Sequence, residues 1–415
     1  MDLDPNFGKR MTEKNNTKFV DDLLNGALTP NGDYVNPLKA KFQQKLMDSG
    51  LTINQAALTL KIDNKQLEKI LDGKLSQLEL LSLEKIADFL EVSRSEVSEM
   101  YFNLIRPSFE GELNEARKRS YILNNFDLAI LKKIKFIDSI TDLDKVEARL
   151  LQFFNLKSIQ EYKNDAVSVA YSSGARKSKS GFSKALWFRT AQASFEGLEN
   201  PYNYDRDKLF EYIPHIRWNS QDPKHGLFQV IRSLFKLGVT VVYVPTVREA
   251  HVRGATFSVG GKPAIAITDY TDFYPTLWFV LLHELYHVLF DWEEISINSF
   301  HVSGDDEFYS QNEGEANDFA RKYFASDEDM AEVSDNIRNA AFIHQFAEHN
   351  NVHPSFYYVF YAYQNSKFEP NIWGKIRKLM PDIAETLTPL IKVDWETSSS
   401  LKEITKLRKK KVYNL

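Results

Sequence analysis

The hydrophobic and polar positions of this chain change period several times, and the changes outline its elements. Between residues 37 and 104, apolar positions recur every three or four residues in five short runs: "PLKAKFQQKLMDSG", "TINQAALTLKI", "DNKQLEKILDG", "SQLELLSLEKIADFLEV" and "SRSEVSEMYFNL". That spacing predicts amphipathic helices. Thr, Asp or Ser opens or precedes several of these runs, and Gly50 and Gly73 close two of them, as helix start and stop signals do. Residues 1–36, rich in Asn, Asp and Gly, predict a flexible N-terminal arm. "IRPSFEG" (105–111) interrupts the helical pattern and marks a domain boundary. A helical linker region over 105–224 follows, carrying the polar, basic loop "SSGARKSKSG" (172–181). The pattern then predicts a helix over 225–237 and two strands, "GVTVVYV" (238–244) and "KPAIAIT" (262–268). Helices dominate afterwards, and 366–415 is a helical extension ending in the basic tail "KLRKKKVYNL". The fold class expected is α+β and mostly helical, with an all-α domain over 37–104 and a domain with a small sheet over 225–365.

Composition narrows the chemistry. A chain of 415 residues is too long for one ordinary core. It has no cysteine, which excludes disulfides, thiolate metal sites and thiol catalysis. Any metal must be held by His, Asp or Glu. The net charge of −5 argues against polyanion binding by the whole molecule. The first residues lack the apolar core of an export signal, and no apolar run reaches transmembrane length, so the expected location is cytoplasmic with no membrane partner.

One apolar run carries three polar residues that burial makes costly: "FVLLHELYHVLF" (279–290). On a helix, His283 and His287 lie four apart on one face, so both rings reach a single ion. Glu284 then stands at the rim, where a carboxylate takes a proton from metal-activated water. A catalytic zinc needs a third protein ligand. "NEGEANDFARKYF" (312–324) supplies Glu313, and Asn317, four residues on, is placed to orient His283. Glu315 points some 200° away from Glu313 around the helix and is the weaker candidate. Two imidazoles and a carboxylate suit Zn2+.

"GATFSVGGKPAIAIT", "WFVLLHELYHVLF", "EGEANDFARKYF" and "VHPSFYYVFYAYQ" follow one another as do the motifs of the ImmA/IrrE metallopeptidases, and residues 225–365 resemble that family. "GARKSKSGFSKALWFRTAQ" (174–192) is more loosely similar to a segment preceding the peptidase in fused members. The resemblance implies a gluzincin-like zinc endopeptidase with His283, His287 and Glu313 as metal ligands and Glu284 as general base. Tyr286 stands where the family usually has Gly and would narrow access to the metal. His353, in an "HPG"-like stretch, is a candidate for a transition-state hydrogen bond beside a capping or packing role. The strand "PAIAIT" is a candidate to pair with an extended substrate. His215, His225, His301, His344 and His349 show no ligand spacing and receive no role.

Residues 51–93 resemble a helix-turn-helix of the Cro/XRE type. "DNKQLEKIL" would be its recognition helix, with Asn64, Lys65 and Gln66 at base edges and Lys61, Lys69 and Lys74 at phosphates. Seven Lys against four acidic residues over 37–74 is a modest positive balance, and Glu68 on the presumed reading face opposes DNA. Together the resemblances imply a regulator that couples DNA binding to cleavage of a repressor or antitoxin-like protein in a phage, mobile-element or stress circuit. Expected partners are that protein substrate, double-stranded DNA and, in a homodimer, a second copy. The rival is an XRE-family regulator or antitoxin whose zinc domain senses or scaffolds without cutting, which would have no need of Glu284.

Overall fold

The five N-terminal runs all form helices: α1 (Pro37–Ser49), α2 (Ile53–Leu60), α3 (Asn64–Leu71), α4 (Leu80–Leu90) and α5 (Arg94–Asn125). Their ends carry the expected chemistry. Thr52 accepts from the Gln55 N–H while the Gln55 side chain accepts from the Thr52 N–H. Asp63 caps α3, and Gly50 ends α1 at φ 65°, a left-handed conformation that costs glycine least. Leu38, Phe42, Ala56, Leu67, Ile70 and Ile86 fill the core of this unit. The computed structural model describes residues 36–75, 78–162, 179–304 and 311–415. The expected N-terminal arm, apart from Asn36, and most of the basic loop at 172–181 therefore lie outside the described residues.

The boundary expected at 105–111 is not a break. Helix α5 runs through it with Pro107 inside. One proline removes one hydrogen bond and crowds the preceding turn, and this long helix continues through it. The chain instead divides within α5 into two compact units, residues 1–117 and 118–415.

In the second unit, helices α6 (Leu128–Lys133), α7 (Leu143–Phe154), α8 (Lys179–Glu196), α9 (Arg206–Asn219) and α10 (Gly226–Lys236) precede the sheet. Strands β1 (Thr240–Tyr243), β2 (Val252–Val259), β3 (Lys262–Ile267) and β4 (Phe300–Gly304) lie in the order β1-β3-β2-β4. β1 is parallel to β3, whereas β2 is antiparallel to both β3 and β4. Gly260 and Gly261, both at positive φ, make the two-residue turn between β2 and β3. β3 is thus an interior strand, paired on both sides. The expectation that "PAIAIT" pairs with substrate is corrected, since its main-chain groups already serve β1 and β2.

Helix α11 (Tyr274–Phe290) is apolar around nearly its whole circumference and is accordingly buried. It packs against β2, β3 and helix α13 (Gln311–Phe324), with the short α12 (Trp292–Asn298) leading into β4. Helices α14 (Asp327–Asn336), α15 (Ala340–His349), α16 (Ser355–Asn365), α17 (Ile372–Arg377), α18 (Ile383–Leu387) and α19 (Leu401–Arg408) complete the unit.

Neither the expected linker nor the expected extension stands apart. Phe153, Trp187 and Leu209 from the one, and Val393, Leu401 and Tyr413 from the other, share the core that contains the sheet. The basic tail is held to this core as well. Arg408 is fully buried, donating from Nε to the Ile391 carbonyl at 2.9 Å and from Nη2 to that of Tyr243, while the Tyr413 hydroxyl donates to the Val241 carbonyl. The tyrosine and valine among the lysines are what anchor the tail.

Candidate metal centre

His283 and His287 project from one face of α11, and Glu313 comes from the first turn of α13. All three are buried, and one donor atom from each lies within 4.8 Å of the other two. The separations are specific. His283 Nε2 is 3.2 Å from His287 Nε2 and 3.3 Å from Glu313 Oε2, and His287 Nε2 is 3.5 Å from Glu313 Oε1. Two zinc bonds of ~2.0–2.1 Å at a tetrahedral angle place their donor atoms ~3.3 Å apart. The three separations, one of them to each Glu313 oxygen, are close to such an edge, so the donor set fits a zinc ion.

Electrostatics agree with that fit. Burial pushes the Glu313 carboxyl up, but hydrogen bonds from His283, His287 and His301 outweigh it and hold the group well below the usual carboxylate range. Burial pushes the His287 imidazole down, yet the Glu313 hydrogen bond, the Glu284 charge and Asp291 together raise it to about 9. Carboxylates surround the imidazoles, and the centre calls for positive charge. A divalent cation meets that demand with release of protons.

Asp291 lies one turn beyond His287 on the chain, and its Oδ2 is 2.7 Å from His287 Nδ1. With Nδ1–H donated to that carboxylate, the Nε2 lone pair faces the other donors. The sequence offered a signal for it, an acid four residues after a ligand histidine. His301 was assigned no role, yet its Nε2 is 2.6 Å from Glu313 Oε1 and its ring centroid is 4.1 Å from that of His287.

Glu284 is wholly buried. Thr256 Oγ1 on β2 donates to its Oε2 at 2.7 Å, while Oε1 has no hydrogen-bond partner. Room for the carboxylate comes from Gly254, where an added Cβ would lie 2.7 Å from Glu284 Oε1 and 2.7 Å from Val280 Cγ1. A buried carboxylate oxygen without a donor is costly.

The remaining sequence candidates are distributed as follows. Asn317 makes no hydrogen bond to His283. It lines a cavity of about 230 Å³ with Phe279, Val280, Phe360 and Tyr363, so the orienting role goes to Asp291 acting on the other histidine. Glu315 accepts from the Tyr286 hydroxyl at 2.6 Å and lies outside the donor group. Tyr286 thereby ties α11 to α13, with its ring centroid 5.8 Å from that of His287. His353 is not at the centre. Its Nδ1 accepts from the Ser355 N–H, and its ring meets Tyr274 edge-on. Tyr274 begins α11, nine residues before His283, a distance of ~13 Å along the axis. Capping and packing are its roles.

In the first unit, Lys61, Lys65 and Lys69 are exposed, Gln66 is half-buried, and Lys74 pairs with Asp72 at 2.9 Å. Asn64 departs from the expected reader, since its Oδ1 is buried without a hydrogen-bond partner. No protein-family model, no curated protein and no solved structure matches this chain.

Proposed function

We propose that the larger unit is a zinc-dependent endopeptidase that cuts a repressor or antitoxin-like protein, and that the smaller unit binds double-stranded DNA, making the chain a cytoplasmic regulator of the ImmA/IrrE kind. His283, His287 and Glu313 would hold the metal. A zinc ion there supplies Lewis acidity, which acidifies water and polarises a peptide carbonyl. Glu284 accepts the proton of the attacking water at Oε1 and returns it to the leaving amine nitrogen. Thr256 fixes the other oxygen and so aims the carboxylate, and Asp291 keeps His287 in the tautomer that offers Nε2. The order of the four motifs supports the family reading. Exposed Lys61, just before α3, and exposed Lys69, in its last turn, support phosphate contacts, and exposed Lys65 in its first turn supports a base-edge contact.

The observation that carries this reading is Glu284: a buried carboxylate, held at one oxygen and without a partner at the other. A scaffold or sensor built on the same ligands needs no such group. The test is co-expression with the product of the adjacent gene. Wild type should generate a defined fragment of that partner. Glu284→Gln, which leaves the three ligands intact, should reduce the fragment at least ~100-fold. Equal cleavage by Glu284→Gln would refute the assignment of the base.

A further inference from the structure

Nothing in the spacing of the nine histidines singles out His301, yet the fold carries it to the metal centre. It stands on β4 directly opposite Thr256 of β2. Opposed residues of an antiparallel pair share one face of the sheet, here the face from which Thr256 reaches Glu284 on α11. Its Nε2 is 2.6 Å from Glu313 Oε1, and its ring lies against that of His287, centroids 4.1 Å apart at 44°. It does not join the group of donor atoms within 4.8 Å of one another, which contains His283, His287 and Glu313.

We propose that His301 is a positioning residue for the metal centre: by donating from Nε2–H to Glu313 Oε1 it keeps that carboxylate a one-oxygen ligand. This rests on the reading of the triad as a metal site. A carboxylate at the start of a helix turns about its terminal bond and binds a cation through one oxygen or both. Oε1, which also lies 3.5 Å from His287 Nε2, is engaged by His301, and Oε2 is the oxygen left to coordinate, 3.3 Å from His283 Nε2. One-oxygen binding preserves the open coordination position that separates catalytic zinc sites from closed structural ones. Contact with the His287 ring lets the same side chain steady a second ligand. Fixing ligands from outside the donor set is worth about 10–100-fold in metal affinity elsewhere.

The test uses the full-length protein with His301→Ala and His301→Gln, each checked for folding by circular dichroism. Zinc affinity is measured by competition with a chromogenic chelator, and coordination by the visible spectrum of the Co2+-substituted protein. His301→Ala should bind zinc about 10–100-fold more weakly. Its cobalt bands should lose intensity as Glu313 swings to two-oxygen binding and the coordination number rises. His301→Gln, whose side-chain amide also presents an N–H, should restore both. Wild-type affinity and spectrum in His301→Ala would overturn the proposal. So would weakened affinity with an unchanged spectrum and no rescue by Gln, the pattern of a packing defect. If wild type binds no metal, this inference falls with the reading beneath it. If wild type binds metal without cutting its partner, the peptidase reading fails while these two measurements still decide the role of His301.

Discussion

Thr256 and His301 face each other across β2 and β4, and each engages one carboxylate of the centre: Thr256 Oγ1 donates to Glu284 at 2.7 Å, and His301 Nε2 lies 2.6 Å from Glu313. Glu284 belongs to α11 and Glu313 to α13, so no single helix fixes their relative position. One cross-strand pair does. A base must sit within hydrogen-bond reach of the proton it takes, and on the proposed reading tying both carboxylates to opposed positions of one sheet helps set that reach.

The choice of Glu313 over Glu315 has a direct check. Glu313→Ala should abolish or greatly reduce bound zinc in purified protein, as should His283→Ala. Glu315→Ala should keep it, because that carboxylate is occupied by the Tyr286 hydroxyl and lies outside the donor group. Elemental analysis of the three variants decides. Full metal in Glu313→Ala with loss in Glu315→Ala would reverse the assignment.

How much of this was readable in advance follows the range of the contacts. His283, Glu284 and His287 are one helical turn, and a period pattern displays them. Glu313 was reachable because it too sits on a patterned helix, and Asp291 only needed the same four-residue step to be continued past Phe290. His301 and Gly254 were not readable. Their roles depend on strand register: Thr256 opposite His301, and Gly254 beside Glu284 across a sheet–helix contact. Pro107 misled, and the burial of Arg408 was hidden, for a related reason. A proline and a basic run have strong local preferences, and a long helix and a buried tail overrode them.

For the smaller unit, a gel shift with the DNA upstream of the protein's own gene should show binding that falls steeply with salt, since phosphate contacts release counterions. Lys61→Ala and Lys69→Ala, both exposed phosphate candidates, should each lower the salt slope by about 1. Asn64→Ala should change little, its Oδ1 being buried. No shift at low salt would leave this unit a protein-contact module and favour the non-cleaving rival.

Stability should depend on His353 in mildly acid solution. Burial, helped by the nearby His344 charge, pushes its imidazole down to about 4 from the usual 6.5. The folded value lies below the unfolded one, so between those limits the unfolded chain binds more protons. The contribution of this residue is therefore whole above pH 6.5 and declines as the pH falls towards 4. Urea denaturation of wild type and His353→Gln at pH 7 and pH 4.5 isolates the effect. The variant should show the smaller loss on acidification, and identical losses would remove His353 from the account.

Gly254 tests whether room for the base, rather than metal binding, limits activity. A methyl group there would lie 2.7 Å from Glu284 Oε1, 2.7 Å from Val280 Cγ1 and 3.1 Å from Glu284 Cγ. Such overpacking typically costs ~1–3 kcal/mol, and the neighbour most able to move is the carboxylate. Gly254→Ala should therefore keep its zinc, since none of the three ligands is touched, while cleavage of the partner falls and the denaturation midpoint drops. Adding Val280→Ala removes one of the two close contacts and leaves the other. The double variant should regain part of the stability and little of the cleavage, because Glu284 is still displaced. Full recovery of cleavage in the double variant would show that the methyl acts through Val280 and α11 packing, and that Gly254 is not what makes space for the base.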